Sequence, residues 1–226
     1  QFAGEHLFGQ GDSFVTNWQV TGSKARRYSP DRREVRYDVR DNDGVYDLLI
    51  GNLTRTYQDL SDDNLDASFD LDYLFANGLG DATAEFGVQL IHRERDSDSE
   101  IYGFSANEAA FESDAPNRRV SDVINQDTIT GDGNTGIAFA NYTTPADSYT
   151  AELDLNSVYA MFSQRFASVF QVILGARFES YEQVTNTVSS LGDQQPISPI
   201  VDDDVVLPSL TFNWEITAAH QLRIAA

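Results

Sequence analysis

Asn156-Ser157-Val158-Tyr159-Ala160-Met161-Phe162-Ser163-Gln164-Arg165-Phe166, then the link Ala167-Ser168-Val169, then Phe170-Gln171-Val172-Ile173-Leu174-Gly175-Ala176-Arg177-Phe178-Glu179-Ser180-Tyr181-Glu182: this stretch decides the fold. In its second half Val172, Leu174, Ala176 and Phe178 fall on one face. Gln171, Gly175, Arg177, Glu179 and Tyr181 fall on the other. The first half sets Val158, Ala160, Phe162 and Phe166 against Tyr159, Ser163 and Arg165. A period of two belongs to a strand whose faces meet different surroundings. Two such runs with a short link predict an antiparallel hairpin.

Outward from that hairpin the pattern repeats. Leu65, Ala67, Phe69, Leu71, Tyr73 and Phe75 alternate with Asp66, Ser68, Asp70 and Asp72. The return strand sets Ala84, Phe86, Val88 and Leu90 against Thr83, Glu85, Gly87, Gln89 and Arg93. Downstream, Val206, Leu210, Phe212, Trp214 and Ile216 alternate with Ser209, Thr211, Asn213 and Glu215, and Leu222 and Ile224 resume the apolar face. Upstream, Phe14, Thr16, Trp18 and Val20 oppose Val15, Asn17, Gln19 and Thr21 with both faces mixed, and Gln1–His6 looks like the tail of another strand.

Short turns near 9–12, 76–81, 167–169 and 217–220 alternate with long polar stretches at 28–64, 96–151 and 183–204. The stretch from Tyr28 to about Asn64 reads as a long loop with a short excursion around Val45–Ile50. In an up-and-down sheet every second connection lies at the same rim, so one rim is trimmed and the other bulky. Transmembrane β-barrels segregate their loops in this way. Runs of about 11–14 residues at ~3.3 Å per residue, tilted near 40°, match the thickness of a bilayer. Phe75, Phe166, Phe170 and Trp214 gather at the short-turn ends, where an interfacial girdle belongs. The expected fold is therefore all-β, an antiparallel up-and-down transmembrane barrel sheet. Phe69, Leu71, Tyr73, Phe86, Val88, Leu174, Phe178, Phe212 and Trp214 are its expected lipid-facing residues. Aromatics capping the core of a large soluble sandwich are the competing reading.

Composition narrows the function. The 226 residues carry 15 Lys and Arg against 36 Asp and Glu, a net charge of −21, with mean hydropathy −0.38. No basic patch for nucleic acid is visible. The chain has no cysteine, which excludes disulfides, thiolate metal sites and a cysteine nucleophile. No apolar run reaches the ~18–20 residues of a membrane helix. The pattern is already running at Gln1 and still running at Ala226, so the chain reads as a fragment of about eight strands. An open curved sheet follows, in which Gln1–His6 does not pair with Leu222–Ile224.

Four pieces together resemble the barrel of TonB-dependent outer-membrane receptors. They are Ser157–Phe162, Leu174-Gly175-Ala176-Arg177-Phe178-Glu179-Ser180-Tyr181, Val206-Leu207-Pro208-Ser209-Leu210 and His220-Gln221-Leu222-Arg223. The resemblance is strongest over Asp154–Ala226 and extends to Leu65–Arg95, and Pro30-Asp31-Arg32-Arg33 looks like a loop start of one proteobacterial subgroup. It implies a barrel of about 22 strands in the bacterial outer membrane. It also implies an N-terminal plug outside this chain, coupling to the TonB system through that plug, and contact with the lipid bilayer and lipopolysaccharide. The solute is a small-molecule ligand; the subgroup leans toward carbohydrate, the wider family toward iron chelates and cobalamin. A passive porin-like barrel and a soluble secreted β-sheet binding protein are the rivals.

Candidate site residues are few. Arg177, Glu179 and Tyr181 share a polar face toward the lumen, where pairing that orders the wall is favoured over ligand contact. Among loop aromatics, Tyr102, Phe104 and Tyr142, with Tyr46, Tyr57, Phe111, Phe139 and Tyr149, offer rings to a ligand at the mouth or pack small loop cores, and packing is favoured. The acidic ladder Asp66, Asp70 and Asp72 lacks a pocket that would make it catalytic. Asp41-Asn42-Asp43-Gly44 fails as a calcium loop, because Val39 and Ile50 stand where it needs carboxylates. Gly9-x-Gly11 and Gly78-x-Gly80 are turn glycines, and His6, His92 and His220 have no metal spacing. No metal, cofactor or catalytic residue is expected.

Overall fold

In the computed structural model the described residues are 1–11, 13–40, 45–106, 119–131, 136–167, 169–190, 194–217 and 219–226; side chains at 39, 40, 45 and 47 are outside the description. The Asp41–Gly44 loop, Phe111 and parts of three short turns (Asp12, Ser168, Ala218) therefore lie outside the described residues.

The main sheet is a meander of eight long or terminal strands: β1 (Phe2–Phe8), β2 (Phe14–Glu34), β5 (Thr54–Asn77), β6 (Gly80–Ala106), β8 (Tyr149–Phe166), β9 (Phe170–Val188), β11 (Ile200–Thr217) and β12 (His220–Ala225). They neighbour one another in that order, every pairing antiparallel. Short strands β7 (Ile137–Asn141) and β10 (Pro196–Ile197) add to β6 and β9, and β3 (Tyr37–Arg40) with β4 (Val45–Leu48) forms a separate hairpin. Among the described residues β1 and β12 are the two edges and do not pair, so the sheet is open. No helix of the described residues is long and apolar enough to cross a membrane.

The strands outrun the sequence expectation. β2, β5 and β6 have 21, 24 and 27 residues, against a globular norm of ~5–6. The polar stretches at 28–64, 96–151 and 183–204 shrink to connections at 35–53, 107–148 and 189–199. Pro30-Asp31-Arg32-Arg33 is not a loop start. It sits inside β2 at a bulge between Ser29 and Arg32, with Asp31 at φ 62°. The reason is simple: where both faces meet water, side-chain polarity no longer alternates, although the backbone ladder continues.

Side-chain exposure separates the faces. Along β8 exposed and half-buried residues alternate. Phe69, Tyr73, Phe86, Val88, Leu174, Phe178 and Trp214 are exposed, whereas Leu71 and Phe212, on the same face, are half-buried. The polar face is mostly half-buried, the imbalance of a sheet curled around its polar side. Near the tight turns the apolar face carries aromatics in contact: Phe8, Phe14, Tyr73 and Phe75 in succession, and Phe212, Phe170 and Trp214 farther along.

The apolar band is also slanted. Leu65, His92, Asp154, Glu182 and Asp202 form one straight cross-strand row from β5 to β11. Leu65 ends the apolar run on β5, but on β11 the run ends at Val206, four residues nearer the tight turns. The lower limit moves equally: Phe75 shares a row with Phe212, yet β11 continues apolar to Ile216. Four residues at ~3.3 Å over four strand spacings of ~4.8 Å is an inclination of about 35°, within the tilt range of transmembrane barrel strands.

Glycine opens one place in the polar face. A Cβ on Gly87 would stand 2.0 Å from Tyr159 Cε1 and 2.5 Å from Asp70 Oδ1. The Tyr159 ring thus lies across β6, and its hydroxyl donates to Asp70 Oδ1 on β5 at 2.8 Å. Gly87→Ala should displace both groups and cost ~1–3 kcal/mol. The check is the temperature at which the folded band disappears on semi-native gels; an unchanged midpoint would remove Gly87 from this role.

Candidate functional site

The polar face of β5, β6, β8 and β9 builds the first candidate surface. Arg177 Nε donates to Glu179 Oε1 at 2.5 Å, so the pair two residues apart closes on itself. Its other arm reaches over β8 to Gln89 Oε1 on β6 at 3.1 Å. Gln89 Nε2 in turn donates to the Asp66 carboxylate at 3.3 Å. Beneath the Arg177–Gln89 bridge lies Ser157, 3% exposed and small enough to let it pass. Tyr181 donates its hydroxyl to Gln183, one position up the same face of β9. Lower down, Asn213, Gln171 and Ser163 link β11, β9 and β8 at 3.1 and 2.8 Å.

Arg177, Glu179 and Tyr181 are therefore already engaged with the wall. The sequence had them on one face but did not reveal Gln89 as the partner of Arg177, or Tyr159 as that of Asp70, since neither stands out in a polar row. The signal was the register: glycine or serine on the strand between two long polar residues marks a crossing point.

At the far end of β5 and β6 the connections carry their own small core. Ile50, Leu53, Val123 and Ile137 are buried, with Phe104 and Ile124 packed against them. Phe104 is a packing residue here. Tyr102 stacks on Phe139 with ring centroids 5.4 Å apart and meets Tyr57 edge-on at 5.9 Å. Its hydroxyl donates to Glu100 at 3.2 Å, which pushes its pKa up. Tyr142 lies over Gly103, on the opposite face from Tyr102, with its Cε2 2.5 Å from where a Cβ would stand. Tyr142 remains exposed. Tyr102 and Phe104 thus share one face of β6, and Tyr142 stands on the other.

Charge at this end is organised in clasps. Asp31 accepts from Arg33 Nε at 2.9 Å and from Arg55 Nε at 2.6 Å, pinning the bulged tip of β2 to β5. The Arg55 guanidinium also lies 5.9 Å from the Tyr57 ring centroid. The Arg33 bond, then the Arg55 bond, hold the Asp31 carboxyl far below the usual range. Arg26 pairs with Asp59 and lowers its pKa likewise. His92, just above the apolar limit on β6, bonds Asp154 at 2.7 Å and Glu94 at 3.3 Å, and both raise its pKa, Asp154 the more. Among the described residues no group of three or more His, Asp or Glu is disposed to hold a metal ion.

Residues 5–226 match the model of a family described as TonB dependent receptor-like, beta-barrel. Among solved structures the chain is similar to the ferric citrate transporter FecA in its unliganded form, at 11% identity and TM-score 0.60, over 96% of this chain and 25% of that one. It is also similar to the siderophore receptor PiuA from Acinetobacter baumannii, at 14% identity and TM-score 0.53, over 95% of this chain and 29% of that one. The chain thus spans a quarter to a third of the structures it resembles. No curated protein sequence matches it significantly.

The Asp31 clasp sets a pH dependence of definite sign. A carboxylate with a depressed folded pKa stabilises above its unfolded value, ~3.9, and loses that contribution as pH falls through the folded value. Protection of residues 29–34 and 54–57 against amide exchange, corrected for intrinsic rates, should persist from pH 7 to pH 4. In Asp31→Asn it should be reduced at both. Equal protection in the two proteins would show that the clasp holds nothing.

Proposed function

Because the chain belongs to the TonB-dependent receptor-like β-barrel family, we propose that it forms one sector of the wall of an active transporter and receptor. Its place is the bacterial outer membrane, as for the family. The supporting observation is the slanted apolar band, limited at both ends, backed by a polar face whose side chains are bonded across strands. A lipid-facing wall needs that asymmetry. A soluble sheet would need a second layer to cover Phe86, Leu174 and Phe178.

In this reading the exposed apolar face meets acyl chains. Phe69, Leu71, Tyr73, Phe86, Val88, Leu174, Phe178, Phe212 and Trp214 are its contacts, and lipopolysaccharide surrounds the strands above them. The half-buried polar face borders a lumen closed by a plug domain, and the TonB system acts on that plug. The long strands and folded connections stand above the membrane and receive a small-molecule solute. The chain contributes binding and passage, with no covalent step and no cofactor. The solute is a carbohydrate or an iron chelate. The two similar structures are named for a ferric citrate transporter and a siderophore receptor, which supports the iron-chelate side of that pair.

Val88→Arg should disrupt insertion at a cost of ~2–4 kcal/mol, the midplane penalty for arginine on a lipid face. Gln89→Arg, one residue away on the polar face, should insert normally. Outer-membrane fractionation of the full-length protein reads both, and equal behaviour would overturn the face assignment. Solute uptake should stop when the proton gradient is collapsed; persistence would favour a passive porin. Uptake measured separately under iron limitation and with oligosaccharide as carbon source tells the two solute classes apart.

A further inference from the structure

The wall holds a second polar feature that the cross-strand network leaves unused. Above the level of Leu90, β6 carries Arg93, Arg95 and Ser97 on its polar face. On β8 the residues facing them are Leu153, Ala151 and Tyr149, and beyond these on β9 stand Gln183 and Thr185. The middle strand is low at Ala151 and the flanking strands are tall, so a trough of about 220 Å³ runs over β8. Its walls are guanidinium on one side, amide and hydroxyl on the other, with Tyr149 at the upper end and Ala151, Glu152 and Leu153 of β8 along the floor, the Glu152 side chain falling on the opposite face of the strand.

The charge there is under-balanced. Arg93 and Arg95 converge on a single carboxylate, Asp62 of β5, whose Oδ1 lies 3.5 Å from Arg93 Nε while Oδ2 bonds Arg95. Arg95 is also bonded to Tyr149, while Arg95 Nε, Ser97 Oγ and Asp62 Oδ1 are buried without a hydrogen-bond partner among the described residues. This local excess of positive charge lies in a chain of net charge −21 with no Lys or Arg between Arg119 and Arg165. The surroundings on the opposite face are acidic: Glu94, Asp96, Glu152 and Asp154 all point there. The outer nitrogens of two adjacent guanidinium groups, facing the Gln183 amide and the Thr185 hydroxyl across the trough, suit a planar or tetrahedral oxyanion.

Building on the transporter reading, we propose that this trough is a lumenal subsite for an oxyanion, carboxylate or phosphate, borne by the transported solute. Arg95 is its principal ligand and Arg93 its second, with Asp62 anchoring both guanidinium groups. Gln183 and Thr185 take the edge of the same group from β9. A neutral solute gains nothing from these donors, so the trough selects by charge.

The test uses the full-length receptor in detergent, titrated calorimetrically with iron-free citrate, with inorganic phosphate and with the neutral sugar maltotriose. Citrate or phosphate should bind saturably and maltotriose should not enter this site. Arg95→Gln should weaken anion binding at least tenfold, Arg93→Gln less, and Arg95→Lys should recover part of the loss. Heat-modifiable gel mobility verifies that each variant is folded. Absence of saturable anion binding to the wild type, the outcome if a carboxylate of the lumen-filling domain already occupies the trough, would overturn the proposal. So would anion binding undiminished in Arg95→Gln. Outer-membrane location and energised uptake are read on the same proteins: their loss sinks the transporter reading, whereas their retention without anion binding sinks only the subsite.

Discussion

A strand in hydrocarbon has no water to satisfy its amides, so each backbone donor and acceptor must find a partner on the next strand. That requirement governs the sheet. The β5–β6 ladder runs from Thr54↔Gly103 to Asn77↔Gly80 without a break in register, and the β6–β8 and β8–β9 ladders are equally regular. Continuous pairing leaves the side chains as the only variable, and they sort by face because register cannot slip by one without exchanging the faces. Register shifts fall at ladder ends: at Ser29–Arg32 in β2, well above the apolar band, and at Glu215–Thr217 in β11, beside the tight turn into β12.

Given fixed ladders, the polar face can be tied together only by reaching across strands. Small residues on the strand in between make this feasible: Gly87 lies under Tyr159–Asp70, and Ser157 lies under Arg177–Gln89. Where the middle strand is small and nothing crosses it, as at Ala151, a trough remains. The crossing points tie the strands together, and the trough between Arg93, Arg95 and Gln183 stays open. Crossing and trough are one device, a gap between tall neighbours, filled in one place and open in another.

Above the membrane the structural problem changes. The strands continue for many residues, held by clasps such as Asp31 with Arg33 and Arg55, and by the buried Ile50, Leu53, Val123 and Ile137. Tyr102, Phe104 and Tyr142 support that superstructure from different faces. A folded rim of this kind holds the connections in place over the wall's polar face.

Within the bilayer the fold was legible residue by residue. Leu65–Phe75, Ala82–Leu90 and the Phe166–Phe170 hairpin alternate because the two faces of the sheet meet different surroundings, and the four tight turns follow from that. Arg177 and Glu179 could be paired from spacing alone, two residues apart on one face. Chain order alone left the rest undetermined. Tyr28–Glu34 and Asp96–Ala106 read as loops because water on both sides erases the alternation while the ladder goes on. The bond of Tyr159 to Asp70, and the placing of Arg93 and Arg95 across β8 from Gln183, required the register of strands separated by dozens of residues. Register is a property of paired backbones, set by the turns and by the whole sheet at once, and no local pattern carries it.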